Sequence, residues 1–396
     1  MSGFFSQLGT VTKMNLLSLP SRLWMSLAAV FAVAVVVAVL LAFLAMARGF
    51  AATLEGTGAE DVAIVTRTGS QAELNSVLSR ETVSLISSSP GVAQDGDGNA
   101  IVSAELYVVV DGIRRSSQSE ANIPLRGLAA SGFDLRTGVQ ITEGRIFEPG
   151  RNEIIVGAGV QREFSGFEIG EELRFGKTVW EVVGVFSTNG SAFESELWAD
   201  ATTVQSQFQR GSSFQTVRMR LAELGNVEPI RQYIENDPQL ILDVVTEADF
   251  FASQGEALSG IAIFGWTLSV VMGLGALAGA LNTMYTSVAS RVREIATLRA
   301  IGFSNSSAFF GTLIESLLLA IIGGAAGACA AWMFFDGFST STLGAGFTQV
   351  VFTFELTAAL FVNGIAVALV IGLIGGIFPA WRAARVPVVT AFQGGE

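Results

Sequence analysis

No histidine occurs in the 396 residues. Without an imidazole, a Ser-His-Asp triad, a Cys-His pair, an HExxH zinc site and a histidine proton shuttle are all excluded, which argues against an enzyme. Cysteine is nearly absent: Cys329 stands alone in an apolar run, so no intrachain disulfide or thiolate metal cluster can form, and it reads as a small buried apolar residue. Lysine occurs only at Lys13 and Lys177. The tripeptide Gly176-Lys177-Thr178 looks like the end of a phosphate-binding loop, but that loop needs glycine five residues before Gly176, where Glu171 stands. The flanks, EELRF and VWEVVGVF, alternate apolar and polar residues and predict a hairpin turn instead. If ATP drives this protein, another chain hydrolyses it.

Charge is also scarce. Charged residues make up 15% and hydrophobic residues 50%, against roughly 25% charged in soluble domains, which points to a membrane protein. About 20 apolar residues span a bilayer core, and four segments qualify: Leu23 to Ala47, about Leu258 to Tyr285, Ala308 to Phe335 and Leu356 to Trp381. The first ends in Ala-Met-Ala, like a signal-peptidase site, but its apolar run is too long for a signal peptide and predicts an uncleaved anchor. Lys13, Arg22, Arg291, Arg293, Arg299, Arg382 and Arg385 all flank spans on one side, so both termini and the 291–307 loop are expected in the cytoplasm. Arg48 departs mildly from this pattern and can snorkel at the opposite interface.

Residues 49 to 256 then lie outside, with 15 of the basic and 30 of the acidic residues. That acidity argues against nucleic acid. A helix is predicted within residues 70–92, ending at Pro90-Gly91, and strands at AIVSAELYVVV, RNEIIVG, EELRFG, TVWEVVGVF and FQTVRMRL. Another helix is predicted over VEPIRQYIEN, and one starting near TEADFFASQGEAL runs into the second span as a stalk. In Gln94 to Ala100, Asp-x-Asp-Gly suggests calcium, but the remaining EF-hand ligands are missing, so a plain turn is expected. The acids otherwise look scattered over a solvated surface. The expected fold is a membrane protein with four transmembrane α-helices and a large α+β extracytoplasmic domain between the first and second.

The second, third and fourth spans each hold a GxxxG, at Gly275/Gly279, Gly323/Gly327 and Gly372/Gly376, which favours close helix packing. Glu315 is the one acid well inside a span. It must face other helices, water or a basic partner, either as part of a substrate or proton route or as a hydrogen-bonded packing residue. No other charge crosses the spans to complete a relay.

The segment Ser290 to Gly302 predicts a short helix, with Ile295, Leu298 and Ile301 as one apolar stripe, Arg291 and Glu294 projecting elsewhere, and Gly302 as the stop. Such a helix can anchor on lipid or dock into a partner's groove. The stretch SRVREIATLRAIGFS resembles the corresponding loop of MacB/FtsX-type ABC transporter permeases. LIESLLLAIIGGAAGA, PAWRAARVPVVTAF and the order of one span, an external domain and three further spans are also similar to that family.

The resemblance implies a permease subunit of a type VII ABC system in a bacterial inner membrane. In that family the loop is a coupling helix seated on a cytosolic ABC ATPase, here Arg291, Arg293, Glu294, Ile295, Leu298, Arg299 and Gly302. ATP and magnesium would be bound by that ATPase, with no cofactor or metal in this chain. The 22 residues before the first span imply a permease-only subunit. Partners would include a second permease copy or homologue, membrane lipids and a periplasmic adaptor. Mechanotransmission to the periplasmic domain would export or extract an amphiphile, peptide or lipoprotein. The alternatives are an FtsX-like regulator of cell-wall hydrolases, a Lol-like lipoprotein releaser and a membrane ligand sensor. The domain limits expected are 1–22, span 23–47, external 48–256, span 257–286, coupling loop 287–307, span 308–335, loop 336–355, span 356–381 and tail 382–396.

Overall fold

The computed structural model describes residues 2–70, 72–136, 138–257, 260–343 and 349–386. The helices in chain order are α1 (Ser2–Leu17), α2 (Leu23–Glu55), α3 (Arg80–Ser87), α4 (Ser131–Asp134), α5 (Ala158–Glu163), α6 (Ala201–Gln207), α7 (Glu228–Asn236), α8 (Glu247–Ala257), α9 (Gly260–Ser290), α10 (Val292–Ala300), α11 (Asn305–Phe335) and α12 (Ala358–Ala384). The strands are β1 (Val62–Arg67), β2 (Val102–Arg114), β3 (Glu120–Leu128), β4 (Gln140–Gly144), β5 (Glu153–Gly157), β6 (Phe164–Ser165), β7 (Glu172–Phe175), β8 (Thr178–Ser187), β9 (Leu197–Asp200), β10 (Thr216–Arg220), β11 (Leu242–Thr246), β12 (Ser339–Leu343) and β13 (Gln349–Thr353). Two compact units result, one of residues 1–47, 260–338 and 354–396, the other of 48–259 and 339–353.

In the first unit, α2, α9, α11 and α12 are long and apolar enough to cross a membrane. Two of the three GxxxG pairs serve close approach inside the unit. A Cβ on Gly327 would lie 2.3 Å from the Ala34 carbonyl oxygen, and one on Gly372 would lie 2.5 Å from Ala320 Cβ. Gly275 and Gly279 of α9 meet nothing within 4 Å. Where those backbones close up, Val33, Val37, Leu41, Ala328, Ala331 and Ala368 form the unit's core. Helix α1, read from sequence only as a cytoplasmic segment, packs on α11, and Val11 lies where a Cβ on Gly311 would come within 2.5 Å of it. Cys329 is exposed on α11, contrary to its reading as buried. In a segment surrounded by hydrocarbon, there is no hydrophobic driving force that turns an apolar residue inward.

The second unit is built on a mixed sheet of order β11-β1-β10-β2-β3-β9-β5-β8-β4, with β6 on β2 and β7 on β8. Most pairs are antiparallel; β3 with β9 and β5 with β8 are parallel. Two cores form along the sheet. Ala63, Val65, Val217, Met219, Ile230 and Val244 pack β1, β10 and β11 under α7 and α3. Val108, Leu125, Val156, Phe164, Trp180 and Leu197 pack the other end. Phe175 pairs with Thr178 across a turn in which Gly176 has φ +62°, the hairpin expected around Lys177. Asp95 accepts the Asp97 and Asn99 backbone N–H groups at 2.9 and 2.8 Å, a turn closed by its own carboxylate.

Helix α3 is shorter than expected. Its N-cap is Ser79, whose Oγ accepts the Thr82 N–H at 3.1 Å, so Glu73–Asn75 is a separate 3-10 turn and Leu78 bridges Phe214. Residues 336–355, expected as a loop, contain the β12–β13 pair. Val351 joins the core of the second unit and donates its N–H to Ser195 Oγ at 2.8 Å. The expected continuity of the stalk helix into the second span falls on residues 258 and 259, outside the described residues.

Candidate functional site

Helix α10 is defined by its ends. After α9 the backbone turns at Arg291, the N-cap (φ −109°, ψ 12°), whose carbonyl accepts the Ile295 N–H at 2.9 Å. At the far end Gly302 adopts φ +104° and donates to the Arg299 carbonyl, while Phe303 donates to the Leu298 carbonyl, both at 3.1 Å. This is a Schellman closure, and the left-handed residue it needs is best supplied by glycine. Ser304 then caps α11 by accepting the Ser307 N–H at 3.2 Å. The exit from α10 is thus specified residue by residue.

Arg293 and Glu294 are exposed, Ala296 is fully buried, and Ile295 and Leu298 are half-buried in a small groove lined also by Val11, Met14 and Phe303. Ile301 is 70% exposed and does not continue the Ile295–Leu298 stripe, because it is the C-cap, beyond the last helical residue. Arg299 is half-buried and donates to the Val386 carbonyl.

Arg291, grouped from sequence with the projecting residues, is turned inward and only 6% exposed. Its Nη2 lies 2.6 Å from Glu315 Oε2, and its Nη1 donates to Asn15 Oδ1 at 2.5 Å. Arg22 approaches the other Glu315 oxygen at 3.6 Å and donates to Ser287 Oγ. A carboxylate that cannot reach water requires such partners. The contacts connect α1, the Leu19–Arg22 turn, α9, the N-cap of α10 and α11 at one buried point.

A larger buried cluster in the second unit was not recognised from sequence. Arg126 clamps Glu196 with Nε and Nη2 at 2.7 and 2.6 Å and reaches Glu73 with Nη1 at 2.6 Å. Arg218 donates from Nε to Glu247 at 2.8 Å, from Nη2 to Glu73 at 3.0 Å, and also to Glu105. Arg136 embraces Glu105 at 2.8 and 2.7 Å. All seven side chains are buried, so these acids are not the solvated surface groups expected. A partial signal was present: Thr216, Arg218 and Arg220 alternate with Val217 and Met219, giving β10 a polar face, but periodicity cannot say whether something covers it. Glu105 lies opposite Thr216, which places it diagonal to Arg218.

Burial alone would raise the Glu73 carboxyl, but the Arg126 and Arg218 charges overcome it and hold it at about 2. Glu105 likewise stays well below the usual carboxylate range, its burial outweighed by Arg136, Arg218 and Arg126. Glu247 opens α8, and its second oxygen accepts the Ala59 N–H at 3.3 Å. The first turn of α8 is therefore tied through Arg218 to the middle of the sheet. The chemistry here is structural clamping, and among the described residues no cluster of His, Cys, Asp or Glu is arranged to hold a metal ion.

Comparison with known proteins finds two family matches along the chain. A family described as MacB-like periplasmic core domain matches residues 26–237, and one described as FtsX-like permease C-terminal matches residues 266–388. The macrolide export ATP-binding/permease protein MacB 1/2 of Paracoccus denitrificans is 28% identical over 305 residues, 71% of this chain and 43% of that protein. MacB of Neisseria gonorrhoeae is 24% identical over 296 residues, 67% of this chain and 43% of that protein. The chain thus spans less than half the length of these relatives. The periplasmic region of MacB from Actinobacillus actinomycetemcomitans, a solved structure, aligns at 14% identity and a TM-score of 0.37, over 51% of this chain and 94% of that one. With the core-domain match covering more than half of its residues and the permease match most of the remainder, this multi-pass membrane protein belongs to the MacB/FtsX-type family of ABC transporter permeases.

Proposed function

We propose that the chain is a permease subunit driven by ATP hydrolysis on a separate cytosolic ABC ATPase. The observation that carries this reading is α10, a helix with Arg293 and Glu294 exposed and with its N-cap Arg291 held by Glu315. An exposed helix backed by a buried ion pair can take a push on one face and pass it to α1, α9 and α11. ATP and magnesium belong to the partner. The basic residues near the span ends support placing α10 and both termini in the cytoplasm of a bacterial cell and the second unit in the periplasm.

In this reading the permease acts as a dimer and the motion of α10 is transmitted to the periplasmic unit. That unit exports or extracts an amphiphile, a peptide or a lipoprotein, with a periplasmic adaptor as a further partner. Arg293, Glu294 and Leu298 form the contact, and Arg291, Arg299 and Gly302 hold its shape. Co-purification from detergent with candidate cytosolic ATPases tests the proposal, comparing wild type with a double variant, Arg293→Glu with Glu294→Arg, and with Leu298→Asp. The ATPase is expected with wild type and lost from both variants when they are correctly inserted. Equal recovery with all three would remove the basis for the assignment.

A further inference from the structure

Between α9 and α12 lies a groove of about 320 Å³, lined over Trp266 to Leu277 of the one and Asn363 to Ile374 of the other. The helices run in the same direction, since Gly273 approaches Ile371 and Gly375 approaches Ala280. Polar groups are confined to one end of the groove. Asn363 and Trp266 stand there, near the starts of both helices, and Ser269 follows one turn further in. Beyond them the lining is apolar, with Val270, Leu274 and Val370 all more than half exposed.

Ser269 is the unusual member. A hydroxyl on a membrane helix commonly bonds the carbonyl four residues earlier, as Thr267 does to Ile263 and Thr286 to Asn282, both at 2.8 Å. The Ser269 side chain is 3% exposed and its Oγ has no partner, although it lines the groove. A buried hydroxyl left unpaired in an apolar setting costs free energy, so an occupant that accepts its proton is favoured.

We propose that this groove binds a bilayer phospholipid, with one acyl chain along Val270, Leu274 and Val370 and its two ester carbonyls accepting separately, one from Asn363 and the other from Ser269. The depth fits. Asn363 lies five residues into α12, about 8 Å along the helix axis, and the polar zone of a leaflet gives way to hydrocarbon over roughly 5–8 Å. The source follows from mass action: an open groove on a membrane-spanning surface has lipid as its solvent. This inference is independent of the ATPase reading, because it concerns only the membrane helices and what surrounds them.

The test uses the full chain reconstituted in phosphatidylethanolamine/phosphatidylglycerol vesicles. These contain a trace of phosphatidylcholine carrying a diazirine midway along one acyl chain, and labelled peptides are mapped after irradiation. Labelling at Val270, Leu274 and Val370 is expected to exceed, several-fold, that at Ile322 and Trp332 of α11, which are comparably exposed. Ser269→Ala should lower it about threefold. Gly273→Leu and Ala366→Phe, which fill the groove from opposite helices, should abolish the excess while elution and melting stay as in wild type. Labelling spread evenly over α9, α11 and α12 would overturn the proposal. So would exclusion of the probe together with efficient disulfide formation between Val270→Cys copies, which would make the groove a contact between two chains.

Discussion

Among the described residues, the buried cluster of the first unit holds one carboxylate, Glu315, against two arginines, whereas the central cluster of the second holds four glutamates against three. The difference follows from where cations can come from. A membrane-crossing helix cannot carry an arginine through hydrocarbon without a partner, so Arg22 and Arg291 reach Glu315 from a turn and a helix cap at the span ends. In the sheet unit, strands supply charge directly, and β2, β3 and β10 bring Glu105, Arg126 and Arg218 side by side. The first cluster joins helices at one point, and the second ties the start of α8 to the sheet. Buried charge is weak evidence of net stability, but removing one partner of a buried pair is strongly destabilising because the other charge is left uncompensated.

The comparison is broken most severely at Arg218. Arg218→Met should destabilise the second unit by about 3–5 kcal/mol, because Glu73, Glu105 and Glu247 all lose a cation. Faster hydrogen exchange at the β2 and β10 amides would report it, with the amides of α11 unchanged. Acid should act on the same cluster. Glu73 is held at about 2, below its ordinary 4.5, so its contribution is complete above pH 4.5 and is lost as pH falls toward 2, an effect of roughly 3 kcal/mol. Exchange in β10 measured from pH 7 to pH 2.5, corrected for intrinsic rates, should be flat and then rise below about pH 4.5.

A smaller effect is expected from Glu315→Gln, about 1–3 kcal/mol. The amide keeps the shape, and Arg22 and Arg291 retain Ser18, Ser287 and Asn15. Limited proteolysis near Arg293 should accelerate, with exchange in the second unit unaltered. At the exposed Arg231–Glu228 pair, Arg231→Ala should change stability within about 0.5 kcal/mol, and a larger shift in α7 exchange would show that surface pairs are not separable from the buried set.

Sequence made the membrane helices legible because their signal is composition over some twenty positions. The α10 helix and its Gly302 stop were also readable, since apolar spacing at Ile295 and Leu298 and a following glycine are local information, although Ile301 falls at the cap and outside the stripe. The partner of Glu315 was foreseeable in kind but not in identity, because Arg22 and Arg291 are distant in the chain. Helix α1 escaped notice for lack of a marked stripe. Strand β3 was hidden by Pro124, which reads as a break; the register pairs β3 with β9 only from Leu125 onward. The seven-residue cluster was missed for a general reason: alternation marks a polar face without revealing that another layer lies over it. Cys329 shows the converse, an apolar residue facing outward where the surroundings are apolar too.

The β12–β13 pair bears on the order in which the protein is made. Val351 belongs to the core of the second unit, yet it is 156 residues beyond Ser195, the residue whose hydroxyl it meets. At about 5–20 residues per second, a ribosome reaches it roughly 8–30 s after Ser195. Until then the emerging sheet has an unfilled seat, and any chaperone or protease that meets the chain would encounter an incomplete domain each time it is synthesised.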